Sequence, residues 1–201
     1  MSIVVHKLST IQQAEILDHL RTLSDADRRL RFGVPMQDEA LARCIERIDF
    51  YADKVFGIYE GLTLAGVGHL AINAEGVFGE LGLSVTPQYR RRGHGGALLA
   101  RAALHARNIG LRTLYMHCLG ENLQMIRLAR RARLLVIADC GQADTSLALA
   151  QPDVRTLTSE LMHDQIALVD YLLKRELRLA AQGRGAASAI MRGSQSDAAP
   201  Q

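Results

Sequence analysis

Apolar residues recur along this chain with two periods, and the changes of period mark its elements. Residues 2–8 alternate weakly and predict a first strand. Ser9 or Thr10 then offers an N-cap, and Ile11, Ile16, Leu17, Leu20 and Leu23 follow at helical spacing. Ser24-Asp25-Ala26-Asp27 restarts a short helix that ends near Arg31-Phe32-Gly33, ahead of Pro35. Asp38 begins another, with Leu41, Ile45 and Ile48 on one face. Three apolar runs come next, at 54–59, 62–72 and 77–85, separated by turn signals at Glu60-Gly61 and 73–76. Two tight turns between such runs predict an antiparallel meander.

After Val85 the pattern changes. Thr86-Pro87 ends the strand, and a glycine-rich arginine loop follows. Residues 97–108 are helical, with Leu98, Leu99, Ala102, Leu104 and Ala106 as good or acceptable helix formers, and Gly110 sits where a C-cap belongs. A strand at 111–119, a helix at 122–131 and a strand at 134–139 complete a strand–loop–helix–strand unit. Residues 145–150 supply a last strand after a turn at Gly141. The class is α+β, locally α/β. Residues 1–150 form the domain, and Pro152 marks its end.

Residues 154–181 predict one long amphipathic helix within a segment at 151–182. Leu157, Leu161, Ile166, Leu168, Val169, Leu172 and Leu173 give it an apolar side. That side either packs back on the domain, the simpler outcome, or makes a homodimer contact. From Gly183 the composition turns to Gly, Ala, Ser and Gln, which predicts a disordered tail over 183–201.

Composition narrows the class of function. At 48% hydrophobic and 22% charged, the chain falls in the range of soluble globular domains, and with no Trp its core must be mostly aliphatic. A formal net charge of +3 is too small to imply nucleic-acid binding. The arginines instead bunch at 90–92, which suits a small anionic ligand, and at 127–133, which reads as a solvated face. Cys44, Cys118 and Cys140 have neither metal-ligand nor disulfide spacing, so no metal is expected. The first residues carry no signal-peptide pattern, and no run approaches the ~20 apolar residues that span a bilayer. A cytoplasmic protein without a membrane partner is the expectation.

Residues 83–99 carry the strongest chemical signal. A strand ends at Leu83-Ser84-Val85, a turn follows with Arg90, Arg91, Arg92, Gly93, His94, Gly95 and Gly96, and a helix starts. Such a junction aims free backbone N–H groups at one spot, at the positive end of a helix, where anions bind. Glycines let a phosphate approach the backbone. The Walker pattern is absent, and the dinucleotide fingerprint fails because position 98 is Leu.

Arg90-Arg91-Arg92-Gly93-His94-Gly95 resembles the pyrophosphate-binding motif of the GNAT superfamily of N-acetyltransferases. Glu121-Asn122-x-x-Met125-Ile126-x-Leu128-Ala129 after a strand looks like that family's fifth strand and following helix. The segment from Leu23 to Phe32, with Glu80-Leu81-Gly82-Leu83-Ser84-Val85, resembles domains related to bacterial protein lysine acetyltransferases. The likeness covers about residues 3–150. It implies a mixed, mostly antiparallel central sheet flanked by helices, with acetyl-CoA as cosubstrate and an amine, small molecule or protein lysine, as acceptor. It also implies direct transfer of the acetyl group. Leu83, Ser84, Val85, the loop residues 90–96 and Asn122 would bind the cofactor, Asn122 through the pantetheine arm or as a helix N-cap. A non-catalytic acyl-CoA-binding sensor or interaction module is the alternative.

Two positions depart from the family pattern. Ala129 stands where many members have a Tyr that protonates the leaving thiolate. Arg133-Leu134 replaces the usual Gly-Phe, and a left-handed cap without Gly costs on the order of 1 kcal/mol, which predicts a different helix end.

Acetyl transfer to an amine needs a base, because an alkylammonium has a pKa near ~10.4. Glu80 is the candidate, standing in an apolar strand where burial would raise its pKa. The resemblance, which sets the cofactor beside the end of this strand, makes the Val85 N–H the candidate oxyanion donor. His69, His117 and Tyr115 are weaker acid–base candidates, and Cys118 a weaker nucleophile.

Overall fold

The computed structural model describes residues 3–139 and 141–196, so Cys140 lies outside the described residues. Seven strands form one sheet in the order β1-β2-β3-β4-β5-β7-β6. The strands are β1 His6–Leu8, β2 Lys54–Glu60, β3 Thr63–Ile72, β4 Phe78–Val85, β5 Thr113–Leu119, β6 Leu135–Asp139 and β7 Gln142–Ala148. Every pairing is antiparallel except β4 with β5. The expected meander is β2-β3-β4. The last strand starts earlier than expected and inserts between β5 and β6. The first strand is shorter than expected.

Helices cover both faces. On one side, α1 (Gln13–Arg21), α2 (Asp25–Phe32) and α3 (Asp38–Glu46) bury Ile16, Leu20, Leu23, Leu41 and Ile45 against Val55, Leu64 and Val67. On the other, α4 (His94–Asn108) lays Leu98, Leu99, Ala102 and Ala106 on Phe56, Leu70, Leu81 and Leu114. The core is largely aliphatic, as the composition requires. The start signals work as their chemistry dictates. Ser9 closes a capping box with Gln12, the Ser9 N–H donating to Oε1 at 2.9 Å, so a one-turn 3-10 helix leads into α1. Ser24 caps α2 through the Asp27 N–H.

Helix ends are more informative. α4 stops in a Schellman motif, with Gly110 left-handed at φ 87° and Leu111 N–H donating to Ala106 O at 3.0 Å. α5 (Leu123–Arg131) ends the same way, with Leu134 N–H on Ala129 O at 3.0 Å and Arg133 N–H on Arg130 O at 3.0 Å. The left-handed residue there is Arg133, at φ 62°. The different ending expected from a non-glycine cap is therefore not what forms. Leu134 and Ala129 are both buried in the main core, and that contact holds the strained cap.

The C-terminal helix α6 runs Val154–Ser196. It passes through Gly183, where a disordered tail was expected, and Ala at 180, 181, 186, 187 and 189 supplies helix propensity on both sides of that glycine. Its packing is inverted. Among its described side chains Glu160 and Ala167 are the buried ones, whereas Leu161, Ile166, Val169 and Leu173 are more than half exposed. The apolar side does not pack back on the domain. The opposite, charged side does so, along β1 and α4. Among the described residues no helix is long and apolar enough to cross a membrane.

Candidate active site

The site begins at a gap in the sheet. β4 pairs with β5 only at Phe78, Gly79 and Glu80, and the strands then part. Along its other edge β4 stays paired to β3 up to Gly66 opposite Val85. Thr86 N–H donates to Ala65 O at 2.9 Å. In an antiparallel ladder this fixes the alternation, so Leu83 and Val85 turn their amide and carbonyl groups away from β3, into the gap. The Val85 carbonyl is taken by Arg90 Nε at 3.0 Å. The Val85 N–H points into the same gap.

The loop after β4 closes one end of the gap. Gly93 is the N-cap of α4, left-handed at φ 90°, and His94, Gly95 and Gly96 are the first helical residues. Their N–H groups have no acceptor within the helix. Arg91 is also left-handed, at φ 62°, a conformation rare for a non-glycine residue. Arg90 acts as a staple: besides Val85 O, its Nη2 pairs with Asp27 Oδ1 of α2 at 2.9 Å. The buried His94 ring pairs with Glu60 Oε1 at 2.7 Å and stacks on Tyr89, tying the loop to β2. His94 can serve the site through its backbone, not its ring.

α5 closes the other side. Asn122 is its N-cap, accepting from Met125 N–H at 3.1 Å, and is 9% exposed. Its side-chain amide stays free to donate. The cleft between these elements has a volume of about 740 Å³, within the usual range for small-molecule sites. Its walls include Leu83, Ser84, Val85, Arg90, Arg91, Gly93, His94, Gly95, Gly96 and Asn122. Arg92 alone of the expected loop is not among them; it is exposed, its guanidinium 5.5 Å over the Tyr89 ring. Arg127 and Arg131 line the cleft too, so part of the second arginine cluster faces the site and is not simply a solvated face. The spacing of Gln124, Arg127, Leu128 and Arg131 already places all four on one helical face.

Glu80 is not among the cleft walls and is exposed rather than buried. Burial therefore does not activate it. It shares a sheet face with Gly82 and Ser84 and stands opposite Tyr115. Over that face lies Arg31, whose guanidinium covers Gly82; any Cβ at that position would collide with it. Burial lowers the Arg31 pKa, and Glu80 acts against that shift. His69, opposite Gly82, holds Asp53 Oδ2 at 2.7 Å; burial lowers its pKa and Asp53 opposes that. Tyr115 stacks with His117, which pairs with Asp144 at 2.6 Å on the exposed surface. Cys118 is buried, and burial raises its pKa, away from thiolate chemistry.

One cluster had no signal in the sequence. His19 of α1 is 2% exposed beneath the strand end. Its Nδ1 lies 3.1 Å from Leu64 O, so Nδ1 carries the proton, and Nε2 accepts from Ser84 Oγ at 2.9 Å. Burial lowers its pKa to about 4, so it is neutral at pH 7.

Fold and cleft together define an acyltransferase-type site, and comparison with known proteins agrees. The model of the Acetyltransferase (GNAT) family matches residues 17–133. The chain belongs to that family. No curated protein matches it. Among solved structures it is similar to the GNAT domain of S. lividans PAT, at 21% identity and TM-score 0.65, covering 72% of this chain and 89% of that one. It is also similar to yncA of Salmonella typhimurium, solved with its cofactor acetyl-CoA, at 18% identity and TM-score 0.59, covering 77% and 99%. Spermidine N-acetyltransferase from Vibrio cholerae, in complex with CoA and spermine, gives 17% identity and TM-score 0.57 over 73% and 95%. At these identities the likeness is one of fold.

Proposed function

We propose that the protein transfers an acetyl group from acetyl-CoA to a primary amine by direct attack. The observation that carries this reading is the opened edge of β4, with unpaired Leu83 and Val85 amides, facing a glycine loop at a helix N-terminus. The first set of donors suits a pantetheine arm and a thioester, the second a pyrophosphate. Arg90, Arg91, Arg127 and Arg131, which all line the cleft, supply positive charge, and Asn122 Nδ2 supplies a further donor to the arm.

The thioester carbonyl would accept from Val85 N–H, which stabilises the oxyanion as the amine attacks. The C–S bond then breaks, and CoA leaves as a thiolate. Glu80, being exposed, takes the amine's proton through water rather than by contact. Ala129 is fully buried in the core, so α5 offers no acid at that position, and the thiolate takes its proton from solvent. This last point also favours a second reading, a sensor that binds acyl-CoA without turnover.

Calorimetric titration of acetyl-CoA into the intact chain and into Gly95→Glu tests the site. The Gly95 Cβ direction meets Leu128 and Leu83 at ordinary contact distance, so the loop accepts a Cβ there and the variant places a carboxylate at the cleft wall, its folding checked by an unchanged far-UV spectrum. Expected is micromolar binding that the variant weakens at least a hundredfold; no binding by the intact chain removes the reading. Thiol release with an amine acceptor then separates enzyme from sensor. Glu80→Gln should lower kcat about a hundredfold with binding unchanged, whereas a sensor releases no thiol in either form.

A further inference from the structure

Helix α6 attaches to the domain by its charged side. Glu160 Oε1 pairs with His105 at 2.6 Å and Arg101 at 3.1 Å, Asp164 with Lys7 at 2.8 Å, and Asp170 with His6 at 2.8 Å. The side turned away is apolar. Between Val154 and Leu179, eleven large apolar side chains are each 47–79% exposed. Together they present roughly 1,000 Å² of apolar surface, where the largest patch on an ordinary monomer is ~300–600 Å². A stable interface buries ~800 Å² on each partner. The patch is thus the size of one complete half-interface.

Its charges identify the occupant. Along the middle of the face, Met162, Ile166, Val169 and Leu173 follow one another at spacings of 4, 3 and 4, the period of paired helices. Arg155 stands near the start of this face and Glu176 near its end, both exposed. A two-fold axis between Gln165 and Ile166 would place Arg155 beside Glu176 of the partner subunit, at both ends. It would set Met162 beside Val169 of the partner subunit in the centre. A parallel pair would instead oppose like charges at both ends, which is destabilising.

We propose that the outer face of α6 is the interface of a two-fold homodimer in which the two α6 helices run antiparallel. It is isologous, as a closed dimer requires, and it leaves both clefts outside the contact, since the cleft lies between β4, α4 and α5.

Light scattering on the full chain tests this. Expected is twice the 22.1 kDa chain mass. Ile166→Asp/Val169→Asp should return the chain mass with an unchanged far-UV spectrum, because both side chains are exposed within one protomer. A monomer for the intact chain, or a dimer that survives the double substitution, overturns the proposal. Arg155→Glu should raise the dimer dissociation constant about tenfold, and adding Glu176→Arg should restore it. Failure of that rescue overturns the antiparallel arrangement.

Discussion

Arg133 occupies a position that the geometry of α5 reserves for a left-handed residue. Both hydrogen bonds of the Schellman motif form regardless, and Leu134 buries against the core behind them. The backbone strain is therefore local and supported by packing. α4 provides the control within the same molecule, where Gly110 fills the equivalent place at φ 87°. Replacing Arg133 by Gly should stabilise the protein by roughly 0.5 kcal/mol, the left-handed penalty less the added freedom of the unfolded chain. Chemical denaturation of the two forms measures it, and a destabilised R133G would show that the arginine side chain contributes more than its backbone costs. Gly82 makes the opposite point. The Arg31 guanidinium lies where its Cβ would stand, so a larger residue there displaces that side-chain end, and with Gly82 a cation sits beside the Glu80 face of β4.

Among the elements, α6 departs furthest from ordinary amphipathic packing. Its attachment depends on Glu160, which gathers His105, Arg101, Lys7 and Asn108 in one buried cluster. Burial alone would raise the Glu160 pKa, but the bonds from His105, Asn108 and Lys7 outweigh it, and the carboxyl sits well below its usual 4.5. A depressed carboxyl pKa stabilises the folded state fully above the unfolded value, and that contribution declines as pH falls from there toward the lower folded-state value. The attachment of the helix should therefore weaken progressively as pH is taken below 4.5. Glu160→Ala should produce the same loosening at neutral pH, at a cost of ~3 kcal/mol, because His105 is left buried without its carboxylate and Arg101 keeps only Asp164. Hydrogen exchange along α6 reads this directly; protection equal to that of the parent chain would show that the cluster does not hold the helix.

At the scale of the whole molecule, the part written in local order was legible in the sequence. The meander, the loop at 90–96 and the Asn122 cap follow from residue type at fixed spacing, and all but Arg92 of the expected cofactor residues meet in one cleft. Strand order was not legible, because the placement of β7 between β5 and β6 depends on pairing that no local pattern encodes. The orientation of α6 was not legible either. Periodicity says which side is apolar, but the charges that claim its other side lie on β1 and α4, far apart in sequence. Glu80 shows the limit of position alone: the sequence places a carboxylate in an apolar strand, but which side of the sheet is left uncovered there depends on the packing of the helices, and Glu80 is exposed.

His19 is the largest of these non-local features and has a measurable global consequence. It joins α1 to the Leu64 carbonyl of β3 and the Ser84 hydroxyl of β4, so protonating it breaks a junction between helix layer and sheet. Its pKa falls from 6.5 to about 4 on folding, chiefly through burial. Between those values the unfolded chain binds more protons than the folded one, so stability rises with pH across the window and is lost as pH is lowered through it. The difference corresponds to about 3 kcal/mol at most. Denaturation midpoints taken between pH 7 and 4 should fall accordingly, and His19→Gln, which keeps a donor and an acceptor without titrating, should flatten that slope. The Ser84 end of this junction borders the cleft, and folded His19 takes its proton only near pH 4, so acetyl-CoA binding should hold across the interval and weaken at its acid end. A slope identical in the His19→Gln variant would assign the acid sensitivity to another group and sever the link between this histidine and the β4 edge.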